Sequence, residues 1–162
     1  MPIDVSRLYA VVKALNPQGF TFGLMPKVIP GVFSGRVHLR WVGANRFEFF
    51  QQPGEEPFRF TRHTGAAIAP GEMITDGGSI PQLFQGIPGF SSWEFGPAFI
   101  IHDWEFQQHD AGATKSFEQA NLTLAEGILT LMNQGVARKD KLVLAAIWAA
   151  VSSPVGRHIW DS

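Results

Sequence analysis

The chain has no cysteine among its 162 residues, which excludes thiolate catalysis, thiolate metal centres and a disulfide framework. It also lacks an excess of either charge: 13 Lys and Arg against 14 Asp and Glu leave a net charge of -1. The diffuse attraction that drives phosphate-backbone binding is therefore missing, and nucleic acid is not an expected partner. The longest apolar run, Leu142 to Val151, is too short to cross a bilayer and reads as a buried helix, with no transmembrane segment expected. Met1-Pro2-Ile3-Asp4 carries no basic flank or apolar core of a signal peptide, so the expected location is the cytoplasm unless the protein is released by lysis. The G-x-S-x-G elbow, the phosphate-binding loop and the H-E-x-x-H pair are absent as well, which argues against the commonest serine hydrolases, nucleotide-binding proteins and zincins.

What remains is a globular composition, 45% hydrophobic and 17% charged, in a chain long enough to close one core. Residues 1–162 are read as a single domain. Asp4 caps an opening helix with apolar Val5, Leu8, Tyr9, Val12 and Leu15, which Asn16-Pro17 stops. About 17–35, rich in glycine and proline, reads as an irregular covering loop. About 36–75 reads as an antiparallel meander, with alternation through Val37, Leu39 and Trp41 and again through Phe58 to Arg62, and a further strand at Ala66 to Ile68 or Met73 to Thr75.

About 79–151 is helical. One helix follows Pro97 and ends near Asp110-Ala111-Gly112, a second opens at a Ser116/Gln119 capping box, and a third runs from about Arg138 to Val151, closed by Ser152-Ser153-Pro154. The expected fold is α+β, a small antiparallel sheet packed on a three-helix C-terminal half.

Two motifs concentrate ionisable groups in this apolar, glycine-punctuated region: Thr75-Asp76-Gly77-Gly78-Ser79-Ile80-Pro81 and Ile101-His102-Asp103-Trp104. A histidine near water makes a general base, and an adjacent carboxylate can hold a hard cation. Adjacent helical residues diverge by about 100°, so His102 and Asp103 can serve two sides of one cleft. The glycine pair can bring backbone groups close to an ion, and Asp76 can ligate a metal, orient His102 or bond the turn's own amides. Asn121 falls on an apolar stripe with Phe117, Leu124, Ile128 and Leu131 and needs a partner, either His102 on the preceding helix or a loop carbonyl.

A structural reading stays open beside the functional one. In it His102 is a satisfied core histidine, Asp103 caps or pairs with an arginine such as Arg62, and Ser79 caps a short helix with Pro81 in its first turn. His102, Glu105 and His109 also share a helix face, a weaker pattern for zinc, with Glu105 and His109 more simply read as a solvated edge.

Residues of about 30 to 150 resemble the phage- and prophage-associated domain of unknown function numbered thirteen-fifty-three. The resemblance is carried by T-D-G-x-S-I-P, then I-H-D-[YW], then an A-D pair, which here reads Ala120-Asn121. It implies phage ancestry and leaves the activity open. A looser similarity is to small prokaryotic phospholipases A2, which also present a glycine loop, an H-D dipeptide on a helix and an aspartate on the next helix, although those secreted enzymes carry cysteines.

That similarity implies His102 as base, Asp103 with Gly77 and Gly78 around calcium, and Asn121 or Asp76 orienting the histidine. It implies a metal-assisted hydrolase of lipid or another ester; a peptidoglycan-directed lysis enzyme acting on cell-wall substrates is a separate possibility. The alternative is a non-catalytic virion or lysis-cassette component that meets phage structural proteins. Asparagine at 121 brings no charge to an imidazolium; the equivalent change in a serine-protease triad loses roughly 10⁴ in kcat.

Overall fold

The computed structural model describes residues 2–16, 25–77, 87 and 92–162. Helix α1, Val5–Leu15, begins where the Asp4 carboxylate accepts from the Arg7 amide, and it buries Leu8, Val12 and Leu15. Its last turn is tied to the C-terminal half by Asn16, whose Nδ2 donates to the Ala149 carbonyl at 3.0 Å.

The strands are β1 Val32–Ser34, β2 His38–Gly43, β3 Arg46–Phe50, β4 Arg59–Thr61, β5 Ala67–Ile68 and β6 Met73–Thr75. They form two antiparallel three-stranded sheets, ordered β1-β4-β5 and β2-β3-β6. The single meander is thus corrected: the local hairpins are β2–β3, turning through Asn45 in the left-handed region, and β4–β5, and they lie in different sheets. Both stretches read as alternatives for one extra strand are strands, one in each sheet. β1 falls inside the segment read as irregular loop. Its Phe33 ring stacks on Phe58 at 5.9 Å and lies tilted against Phe60 at 4.6 Å, so tertiary packing makes a strand that local composition disfavours.

Helices α2 Gly96–Asp110, α3 Phe117–Asn133, α4 Lys141–Val151 and α5 Pro154–Asp161 follow a short 3-10 turn at Ser92–Phe95. Ser116 caps α3 through the Gln119 amide, as its spacing predicts. α4 starts three residues later than expected because Asp140, not the basic pair before it, accepts from the amides of Leu142 and Val143. The three-helix expectation is extended by α5. Ser153 and Pro154 read as a stop, yet Ser153 caps the Gly156 amide and proline fits the first turn, where no N–H is needed.

α2 is the central element. Ala98 and Phe99 belong to the helical core with Leu124, Ile128 and Ile147, whereas Ile100 and Ile101 pack with Phe49, Phe58, Phe60 and Met73 of the two sheets. A helix buried on opposite sides shows no clean amphipathic stripe. Gly127 of α3 permits the close crossing: a Cβ there would lie 3.0 Å from the Ala98 Cβ. Each fully buried phenylalanine of the sheet core contributes about 1.5–3 kcal/mol relative to exposure. Among the described residues, no single helix is long and apolar enough to cross a membrane.

Candidate active site

A cavity of about 460 Å³ opens between α2, the end of β6 and α5. α2 gives it one face, Phe99, His102, Asp103, Phe106, Gln107 and Asp110, positions that recur at the three- and four-residue steps of one helix side. β6 and the turn after it supply Ile74, Thr75 and Asp76, and α5 supplies Ile159, with its C-cap Ser162 beside it. The T-D motif and the H-D dipeptide, 26 residues apart in sequence, therefore share one concavity.

His102 is 6% exposed. Its Nε2 lies 2.9 Å from Asn121 Oδ1, and Asn121 Nδ2 donates to the Val151 carbonyl at 3.3 Å. Asn121 thus meets the expected histidine partner, while its second partner is the carbonyl at the end of helix α4 and not one in a loop. Burial among apolar groups, Phe106 at 4.6 Å from the ring included, pushes the imidazole down to about 4, against a smaller upward pull from Asn121. At neutral pH the ring is uncharged.

Asp103 has the opposite displacement. Loss of hydration pushes its carboxyl up to about 7; the Thr75 hydroxyl, donating to Oδ2 at 2.6 Å, pulls it down, and the charge of Asp76 adds to the rise. Gly77, at φ +79°, in turn donates its amide to Thr75 Oγ1 at 3.1 Å. A positive φ of this kind suits glycine, and the result is a relay from the Gly77 amide through the Thr75 hydroxyl to Asp103. Asp76 lines the cavity wall, while the histidine nitrogen in need of orientation is held by Asn121. Gly78, Ser79 and Pro81 lie outside the described residues.

The His102, Glu105 and His109 face does not converge. Glu105 is 5% exposed and pairs with Lys115, and His109 stacks 3.9 Å from the Trp160 ring. The solvated edge is corrected accordingly: Glu105 Oε2 and His109 Nδ1 are buried, because Lys115 and α5 close over them. Among the described residues, no group of three or more His, Asp or Glu could hold a metal ion by itself. Asp103 is also not the partner of Arg62. That arginine makes a two-pronged pair with fully buried Glu126, at 2.8 and 3.0 Å, with Gln119 and His63 alongside.

Sequence reasoning missed Thr75 as the carboxylate's donor and missed α5 as a wall. The signal for α5 was Ser153-Pro154, a helix start as readily as a helix stop. For Thr75 the signal was strand alternation, which sets it on the side of Phe47 and away from Ile74.

Comparison of the chain with protein-family models, curated proteins and solved structures finds no match.

Proposed function

We propose that this chain is a hydrolase of ester or lipid substrates, phage-derived as its motifs suggest, with His102 as general base and Asp103 as the cation-binding carboxylate. The observation that carries the proposal is the shared concavity, where a neutral imidazole and an under-solvated carboxyl lie on one helix face beside Asp76. Perturbed titratable groups lining a cleft are what acid–base chemistry requires.

With Nε2 turned to Asn121, Nδ1 is the ring nitrogen left for a water. It takes a proton as the water oxygen attacks the ester carbonyl carbon. Collapse of the adduct breaks the bond to the leaving alkoxide, which receives that proton from the imidazolium. The imidazole resists protonation because it is buried, so turnover is expected to be slow.

The donor set suits a hard cation: Asp103 and Asp76 offer carboxylate oxygens, with the carbonyl of Gly77 as a further candidate. Calcium fits these oxygens better than zinc, which prefers nitrogen and thiolate. When bound, calcium would polarise the substrate carbonyl.

The test is fatty-acid release from phospholipid vesicles, with calcium and with chelator. Calcium-dependent release that disappears in His102→Ala supports the reading, and no turnover under either condition defeats it.

A second reading is favoured by Asn121 itself, because a neutral amide suits a buried polar network as well as a catalytic one. In it the protein is a virion or lysis-cassette component. Stoichiometric incorporation into particles, with destabilisation and no lost activity on replacing His102, would support it.

A further inference from the structure

The Val151 carbonyl, at the last residue of α4, belongs to the terminal turn whose carbonyls lack the usual helical donors. Two groups close on it. Asn121 Nδ2 donates at 3.3 Å, and Gly156 of α5 sits behind it so tightly that a Cβ on this glycine would fall 2.1 Å from the oxygen. The carbonyl is held by the α4–α5 corner and cannot easily retreat.

A carbonyl only accepts. Asn121, itself fully buried, must therefore turn its NH₂ toward Val151 and its Oδ1 toward His102. The reverse rotamer would set two acceptor oxygens face to face in a buried site, leaving both unsatisfied. With Oδ1 fixed as an acceptor, His102 Nε2 must carry the hydrogen, and Nδ1 keeps the lone pair.

We infer that the α4–α5 corner, the Val151 carbonyl backed by Gly156, is a positioning device that selects an amide at 121 and through it the Nε2–H tautomer of His102. The inference deepens the hydrolase reading and rests on it only for the use made of Nδ1. Asparagine here is not a weakened aspartate. A carboxylate would put a second anionic oxygen against the Val151 carbonyl with no hydrogen between them. Because α5 and its C-cap also supply Ile159 and Ser162 to the cavity, one corner fixes both a wall of the site and the state of its base.

The experiment is nitrogen-15 NMR of histidine-labelled full-length protein between pH 6 and 8, for the wild type, Asn121→Asp and Gly156→Ala, with vesicle hydrolysis measured in parallel. In the wild type His102 is expected as one neutral tautomer, hydrogen on Nε2. Gly156→Ala, where it folds, should shift the Nε2–H resonance or mix the tautomers. Asn121→Asp should lower the thermal midpoint and reduce turnover.

A wild-type His102 with its hydrogen on Nδ1 overturns the inference, and that measurement needs no variant to fold. An Asn121→Asp protein as stable as wild type with turnover raised tenfold or more overturns it too. The stated tautomer in a protein that hydrolyses nothing would uphold the positioning device and remove the hydrolase reading.

Discussion

Replacing Asp103 by asparagine should stabilise the protein at alkaline pH while abolishing any cation-dependent activity. The fold lifts this carboxyl from an ordinary 3.8 to about 7, so the folded state binds its proton more tightly than the unfolded chain. Stability is then highest at acid pH and falls as pH rises through the interval between the two values. About 1.4 kcal/mol per pH unit over roughly three units gives about 4 kcal/mol. Because Asp103 is only partly buried, the surviving hydration of its charged form reduces the working figure to about 2 kcal/mol.

Asparagine keeps an acceptor for the Thr75 hydroxyl and removes the charge. The asparagine variant and wild type should thus be nearly equal near pH 4 and diverge steadily to pH 8. Urea titrations at half-unit steps would show this, with a rise in thermal midpoint of about 4–8 °C at pH 8 for a chain of this size. His102 and Glu105 titrate within the same window, but they are present in both proteins and their contributions largely cancel in the difference. A difference that does not change with pH, or an asparagine variant less stable than wild type at pH 8, would refute the assignment of Asp103 as a carboxylate held against its own solvation.

Thr75→Val removes the hydrogen bond that lowers the Asp103 carboxyl, so carbon-13 NMR of the side-chain carboxyl should find it titrating at still higher pH; an unchanged or lower midpoint would contradict the relay. Arg62→Met leaves Glu126, 1% exposed in its side chain, with only His63 and no guanidinium. That change should cost about 3–5 kcal/mol of stability in urea, and the double replacement Arg62→Met with Glu126→Leu should recover most of it. A single-variant loss below about 1 kcal/mol would show that the pair is solvated.

The parts of the fold legible in the sequence are those set by local chemistry. Asp4 and Ser116 announce α1 and α3 because a cap is a contact within four residues, and the α+β division follows from the change of period after Pro97. Strand partners set by contacts distant in sequence are not legible: β4 reads as part of a meander and does pair locally with Ala67-Ile68, but its other partner, Val32 to Ser34, lies in a segment that reads as irregular loop. Of the site, the pairing of His102 with Asn121 was legible because a buried amide on an apolar stripe demands a partner, and antiparallel helices bring one close. Val151 and Gly156 were not, since nothing in their side chains advertises a backbone carbonyl.

α2 and α3 carry two buried polar clusters, and the contrast between them locates the chemistry. Around Glu126 both carboxylate oxygens meet the guanidinium of Arg62, with the His63 ring beside one of them. Such a cluster can fix how β4 docks on α3, but it offers no open valence to a substrate. Around His102 the balance is left incomplete on the cavity side among the described residues: the ring is denied its proton by burial, and the Asp103 carboxyl is denied part of its hydration with a second acid beside it. That arrangement costs stability, as the asparagine variant is expected to reveal, and a cost borne at the mouth of a cavity is the pattern expected where binding supplies the missing partner. A purely structural network would be completed from within, as the Glu126 cluster is. If Asp103→Asn gains stability and loses a calcium-induced rise in thermal midpoint that wild type shows, the incompleteness belongs to a binding site. Equal response of both proteins to calcium would assign it to the fold alone.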